Sequence, residues 1–303
     1  MRRLSAAILT LTVALPLCAA DARTPDSSRK AIKDPSAIGN RKVSGSLNFY
    51  SVEKEMALGR QLALEVGKQA RFVDDPAVSE YINRLGQNLA HNSDVAFPVT
   101  FRVVESDEIN AFTLPGGYVF INTGLIRLTA NEAQLASVLA HELGHAAARH
   151  FTRQATRKDL ISAGTLPLAI MGGWLGLAAR QAAVAAVPMA FFRFSREFET
   201  EADMLGLEYL WKTGYDPGAS VDLFEAVEST EHRHPGSVSQ LFSSHPLTAD
   251  RIAKTQKNID SLLPAQAEYI LNTSEYEEIR ERLNPPDRNP VEPEANHPTL
   301  LRK

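Results

Sequence analysis

The chain has 303 residues, 44% hydrophobic and 22% charged, near soluble-globular averages, which excludes a wholly disordered, collagen-like or polytopic membrane protein. Its 32 basic and 36 acidic residues leave a net charge of −4, so no overall positive field exists to hold nucleic acid, and none is expected as a partner. The single cysteine, Cys18, excludes an internal disulfide framework.

Residues 1–20 read as a signal peptide: basic Met1-Arg2-Arg3, an apolar run from Leu4 to Leu17, then Cys18-Ala19-Ala20 as a small-residue cleavage site. Fourteen apolar residues would span only about 21 Å of a bilayer core of roughly 30 Å. The alternative is a lipoprotein acylated on Cys18 and carried by the outer membrane, although the bulky Leu17 before it suits that processing poorly. Either route exports the chain, most simply into a bacterial periplasm. Residues 21–47, rich in Ser, Lys, Arg, Asp, Gly and Pro, read as a flexible leader.

Two helical patterns follow, the second from Pro76 with Val78, Tyr81, Ile82, Leu85 and Leu89 on one stripe. Pro98–Glu105 and Tyr118–Asn122 are short strands joined through Asn110–Gly117. Thr129–Arg149 reads as a helix opened by a Thr129/Glu132 capping box. Leu160–Ala179 carries no charge, and the apolar character continues to about 187. Glycines and Pro167 weaken a spanning helix there, leaving a buried hairpin or flap, or a peripheral membrane contact. Pro188–Lys212 is a long helix stopped by Gly214, shorter helices fall at 218–229, 248–262 and 274–283, and 284–303 is a Pro-rich disordered tail. The expected fold is α+β, predominantly helical, with a small antiparallel sheet, in one domain over 48–283.

His141-Glu142-Leu143-Gly144-His145 is an HExxH sequence late in the 129–149 helix. Residues i and i+4 share a helix face, so both imidazoles reach one Zn²⁺ at roughly 2.0–2.1 Å. Glu142 falls about 100° further round, where it can deprotonate a water without being a ligand. Random placement of the 8 His and 22 Glu gives about 0.015 such matches. A metzincin-type third ligand would need Gly at 148 and His at 151, but the chain has Ala148 and Phe151. A carboxylate from a later helix is the other solution. Of Glu197, Glu199 and Glu201, only Glu199 has Asp203 one turn on along its own face, placed to accept a ring N–H from His141 or His145. From spacing alone, a plain acidic face remains the alternative.

The strings 131–150 and 195–210, with Asn110–Leu125 and Ser244–Ile252, resemble the gluzincin family of CAAX prenyl proteases and HtpX-type heat-shock proteases, in its periplasmic BepA-like branch. The resemblance covers about 50–262. It implies a gluzincin-type metalloprotease domain with one Zn²⁺ per chain held by His141, His145 and Glu199, Glu142 as general base and Asp203 beside the ligands. It also implies that the segment beginning Asn110-Ala111-Phe112 is an edge strand for an extended substrate. By the same resemblance, the loop of His245 lies over the cleft. There His245 either plugs the open metal position or donates to the oxyanion, although it could simply cap the next helix. Arg251 would fix that loop through a carboxylate. His150 lies about 180° from His141 and is expected to be structural or to support a ligand. The expected activity is an exported zinc metalloendopeptidase acting on misfolded or misassembled envelope proteins. The alternative is a chaperone-like binding protein with a plugged, latent site.

Overall fold

The computed structural model describes residues 34–284 apart from 46, 165–193, 234–235, 237–240, 242–244 and 247–248. The signal peptide with Cys18, the membrane-contact segment beyond 164, Pro188 and the Pro-rich tail therefore lie outside the described residues. In chain order the helices and strands are α1 (Val52–Gln69), α2 (Pro76–His91), β1 (Thr100–Val104), β2 (Ala111–Leu114), β3 (Tyr118–Asn122), α3 (Thr123–Leu128), α4 (Glu132–Ala147), α5 (His150–Gly164), α6 (Arg196–Thr213), α7 (Ala219–Arg233), α8 (Ala249–Leu262) and α9 (Ser274–Leu283). Among the described residues no helix is long and apolar enough to cross a membrane.

The sheet is mixed rather than antiparallel throughout. Its order is β1-β3-β2, with β1 parallel to β3 and β2 antiparallel to it. The chain between β1 and β3, expected as a connection, is itself spent on β2. It then reverses through Pro115-Gly116-Gly117, where both glycines take positive φ of 72° and 89°. β2 and β3 are buried on both faces apart from Phe112 and Tyr118, which are half-buried, whereas β1 leaves Thr100 and Arg102 exposed. Val119 and Ile121 enter the main core with Leu135 and Leu139, while Phe120 joins Leu62, Val104 and Leu114 in a smaller cluster under α1.

Helix α4 is the hub: every residue except His141 is buried, and it packs on α6, α2, α7 and β2. The expected helix over 129–149 is shortened at both ends, to Glu132–Ala147. Asn131 is the N-cap, its side chain accepting from the Gln134 N–H at 2.9 Å. Thr129 instead donates to the Ile126 carbonyl at 2.6 Å, and the Glu132 carboxylate accepts from the hydroxyls of Tyr215 and Thr273. A local carbonyl has taken one half of the expected capping box and tertiary hydroxyls the other. The later helix starts at Arg196 behind a Ser195 cap, Phe194 and Ser195 being non-helical and 188–193 lying outside the described residues, and Gly214 ends it in the left-handed conformation at φ 84°.

The close approach of α4 and α6 follows from small residues. A Cβ on Gly144 would lie 2.7 Å from the Ala202 carbonyl oxygen, and one on Gly206 would lie 3.1 Å from the His141 nitrogen. Part of the expected leader also packs on the body. Ile38 and Val43 are buried in the core, and the Arg41 guanidinium binds Asp94 at 2.9 Å and also Glu208 of α6.

Candidate active site

His141 and His145 occupy successive turns of α4, and the Gly144–Ala202 contact lets α6 bring Glu199 and Asp203 alongside them. His245 arrives from the segment before α8. Four residues converge: Nε2 of His141 is 3.0 Å from Nε2 of His145, 3.3 Å from Nδ1 of His245 and 3.5 Å from Oε2 of Glu199. Oε1 of Glu199 is 3.6 Å from Nε2 of His145 and 3.2 Å from Nδ1 of His245. A tetrahedral ion with bonds near 2.0–2.1 Å keeps its ligand atoms about 3.3–3.4 Å apart. With Oε2 of Glu199 as the carboxylate donor, also 3.3 Å from Nδ1 of His245, four of the six edges of such a tetrahedron are present at 3.0–3.5 Å, and two imidazoles turned nitrogen to nitrogen in a buried pocket ask for a cation between them. The donor set, three imidazoles and a carboxylate, suits Zn²⁺.

The surroundings orient each donor. Nδ1 of His141 lies 3.0 Å from Oδ1 of Asp203. Burial works against charge on His141, but the carboxylates of Asp203 and Glu199 outweigh it and push its pKa up to about 10. The place demands positive charge, which a divalent ion would also supply. His145 is held well below the ordinary imidazole value, chiefly by burial, so it is neutral and free to bind metal. Its Nδ1 faces Nδ1 of His150 at 2.9 Å, and Nε2 of His150 faces Oε2 of Glu201 at 3.1 Å. Burial also lowers His150. A neutral His150 donating to Glu201 leaves its Nδ1 to accept from His145, which fixes the His145 tautomer with Nε2 toward the donor cluster.

Arg251, whose partner was not nameable from sequence, grips Asp203 through two hydrogen bonds of 2.7 and 2.9 Å, touches Oε2 of Glu199 at 3.1 Å and donates to the Pro246 carbonyl at 3.0 Å. One guanidinium thus ties a carboxylate donor, the acid beside His141 and the His245 segment together. Burial would raise Asp203, but Arg251 and His141 hold it below the usual carboxylate range.

Glu142 is buried. Its Oε2 accepts from the Thr113 hydroxyl at 2.7 Å, and its Oε1 lies 3.5 Å from Nε2 of His245. Of the expected substrate strand, Ala111 lines a cavity beside His141 and Glu142, and Asn110 is buried with its backbone oxygen accepting from the Asn122 N–H at 3.0 Å. Phe112 turns to the opposite face and stacks on Phe120 at 5.0 Å. The cavity, about 710 Å³ including its open mouth, is walled by Val138, Leu223, Phe224, Val227 and Leu241. Sequence reading missed Thr113 and the bond from His150 to Glu201. For Thr113 the only signal was its place two residues beyond Ala111, on the same strand face.

The model of peptidase family M48 matches residues 76–259. The chain is 31% identical over 222 residues to the beta-barrel assembly-enhancing protease of Escherichia coli (strain K12), covering 71% of this chain and 45% of that protein. It is 34% identical over 223 residues to the putative beta-barrel assembly-enhancing protease of Vibrio cholerae, with 71% and 46% covered. To the mitochondrial metalloendopeptidase OMA1 of Bos taurus it is 30% identical over 213 residues, with 65% and 38% covered. The chain spans less than half the length of these relatives. The matched region holds both histidines, Glu142, Glu199, Asp203, His245 and Arg251, and it covers more than half of the chain, which belongs to peptidase family M48.

Proposed function

We propose that this protein is an exported, periplasmic zinc metalloendopeptidase that cleaves extended segments of misfolded or misassembled envelope proteins. The observation that carries the reading is the tetrahedral spacing of the donor atoms of His141, His145, Glu199 and His245, with the Glu142 carboxylate beside them. A bound Zn²⁺ would polarise the scissile carbonyl and lower the pKa of a water towards about 7.

The chain's own residues supply the rest. The bond from the Asn122 N–H to the Asn110 carbonyl fixes the pairing phase of β2 on β3. In an antiparallel pair the bonded positions alternate, so Ala111 and Thr113 turn their backbone groups away from β3, toward the edge that no other strand among the described residues pairs with. An extended substrate can join there, with an apolar side chain in the adjoining cavity. Glu142 takes the proton of the attacking water and passes it to the leaving amine. Export is supported by residues 1–20, and an envelope substrate by relatives named for enhancing β-barrel assembly.

A second reading has its own observation. Nδ1 of His245 fills the corner of the tetrahedron that a catalytic site keeps for water. The state described is therefore plugged, as a binding protein with latent hydrolysis would be. Glu142→Gln separates the two: the endopeptidase reading expects cleavage of an unfolded protein such as casein to fall by at least about a thousandfold with zinc retained. Cleavage that persists in Glu142→Gln, or a chain that never cleaves yet still holds unfolded proteins, favours the alternative.

A further inference from the structure

We propose that Thr113 is a positioning residue that couples the substrate edge strand to the general base Glu142. The inference rests on the endopeptidase reading above, and three observations carry it. Thr113 and Glu142 are both buried, at 5% and 2% exposure, so their contact is not a solvent-averaged surface pair. The Thr113 hydroxyl has one hydrogen. The carboxylate Oε2 at 2.7 Å takes it in preference to the Glu142 backbone oxygen at 3.2 Å. With Oε2 tied to the strand, Oε1 is the oxygen left on the side of His245, 3.5 Å from its Nε2. The carboxylate is thereby held in one rotational setting, with its free oxygen where a water proton must be taken.

The same residue is one of two on β2 whose backbone N–H and C=O face the edge that no other strand among the described residues pairs with. A substrate strand pairing with Thr113 is thus registered against a residue whose side chain, two covalent bonds away, holds the base. Substrate position and base orientation are set by one residue, the first through its backbone and the second through its side chain. Alignment of this kind acts on the chemical step rather than on binding, because the ground-state contacts of the strand are made by backbone.

The test uses the full chain loaded with zinc and a fluorescence-quenched extended peptide. Thr113→Val keeps the shape and removes the donor. Its kcat should fall about 10- to 100-fold, with KM within about twofold of the parent and zinc still at one per chain. Thr113→Ser restores the hydroxyl and should bring kcat back to within about threefold of the parent. In a Glu142→Gln background, Thr113→Val should leave peptide affinity unchanged, which a strand merely distorted by the substitution would not do. If Thr113→Val does not fold, Thr113→Ala is read by the same criteria. The proposal is overturned by unchanged kcat, by a loss carried in KM, or by a serine variant as impaired as the valine one. An inactive Glu142→Gln beside a fully active Thr113→Val removes only this inference, whereas an active Glu142→Gln removes the endopeptidase reading and this inference with it.

Discussion

Two side chains that would not touch the scissile bond carry much of the candidate site's chemistry. Asp203 sits 3.0 Å from Nδ1 of His141 and is itself clamped by Arg251. Asp203→Asn keeps the shape but lets the amide present a donor to that nitrogen. We expect zinc affinity to fall about 10- to 100-fold by competition with a chelating dye, and unchanged affinity would show that the contact does not orient the ring. His245 offers the opposite experiment. If it plugs the fourth corner, His245→Ala should raise peptide hydrolysis while zinc stays bound. If it donates to the oxyanion instead, hydrolysis should drop by about 10²–10³. The sign of the change decides between the two roles. The sequence placed His141, Glu142 and His145 readily, since a five-residue motif on one helix needs no tertiary knowledge. Thr113 was invisible for the opposite reason, because a threonine in a β-rich run is ordinary until the strand is known to pass the base.

Helix α6 reaches the candidate site only because α4 and α6 touch backbone to backbone. Gly144→Ala would put a methyl group 2.7 Å from the Ala202 carbonyl oxygen, and neither backbone can yield without parting the helices. Glu199 would then move away from the two histidines. We expect Gly144→Ala to cost about 1–3 kcal/mol of stability and at least about tenfold in zinc affinity. Loss of stability with full affinity would mean that the crossing does not set the ligand distance. Periodicity located both helices but gave no crossing, and Glu199 stood out only because Asp203 follows it by one turn. The sheet was read less well. Strand content is legible from β-branched and aromatic runs, whereas pairing direction depends on where the connection re-enters, which local sequence does not encode.

At the scale of the whole molecule, an N-terminal segment with leader-like composition is fastened to the back of α6. Arg41 serves two buried carboxylates, Asp94 and Glu208, while Asp94 also accepts from the Tyr209 hydroxyl at 3.0 Å and the Gly39 N–H at 2.8 Å. Composition hid this because one guanidinium, Ile38 and Val43 make the attachment amid flexible-looking neighbours. Burial outweighs the pull of Arg41 and raises Glu208 to about 7, above the ordinary glutamate value of 4.5. The folded chain therefore binds more protons than the unfolded one between those values, and stability should fall as pH rises from about 5 to 7. Urea titrations across that window should show the fall, and Glu208→Gln should flatten it. A slope unchanged in Glu208→Gln would place its origin elsewhere.

Metal stapling of α4, α6 and the His245 segment should be visible at the same scale. Zinc at a hundredfold excess over its dissociation constant should add about 2.7 kcal/mol, a rise of roughly 5–10 °C in the melting temperature that chelation reverses. The most direct measurement is zinc-edge X-ray absorption on the loaded chain and on His245→Ala. The account predicts one zinc per chain with three imidazole nitrogens at about 2.0–2.1 Å and one carboxylate oxygen, and loss of one imidazole in His245→Ala. A chain that retains no zinc after dialysis, or a zinc whose shell lacks the two imidazoles of α4, would contradict it.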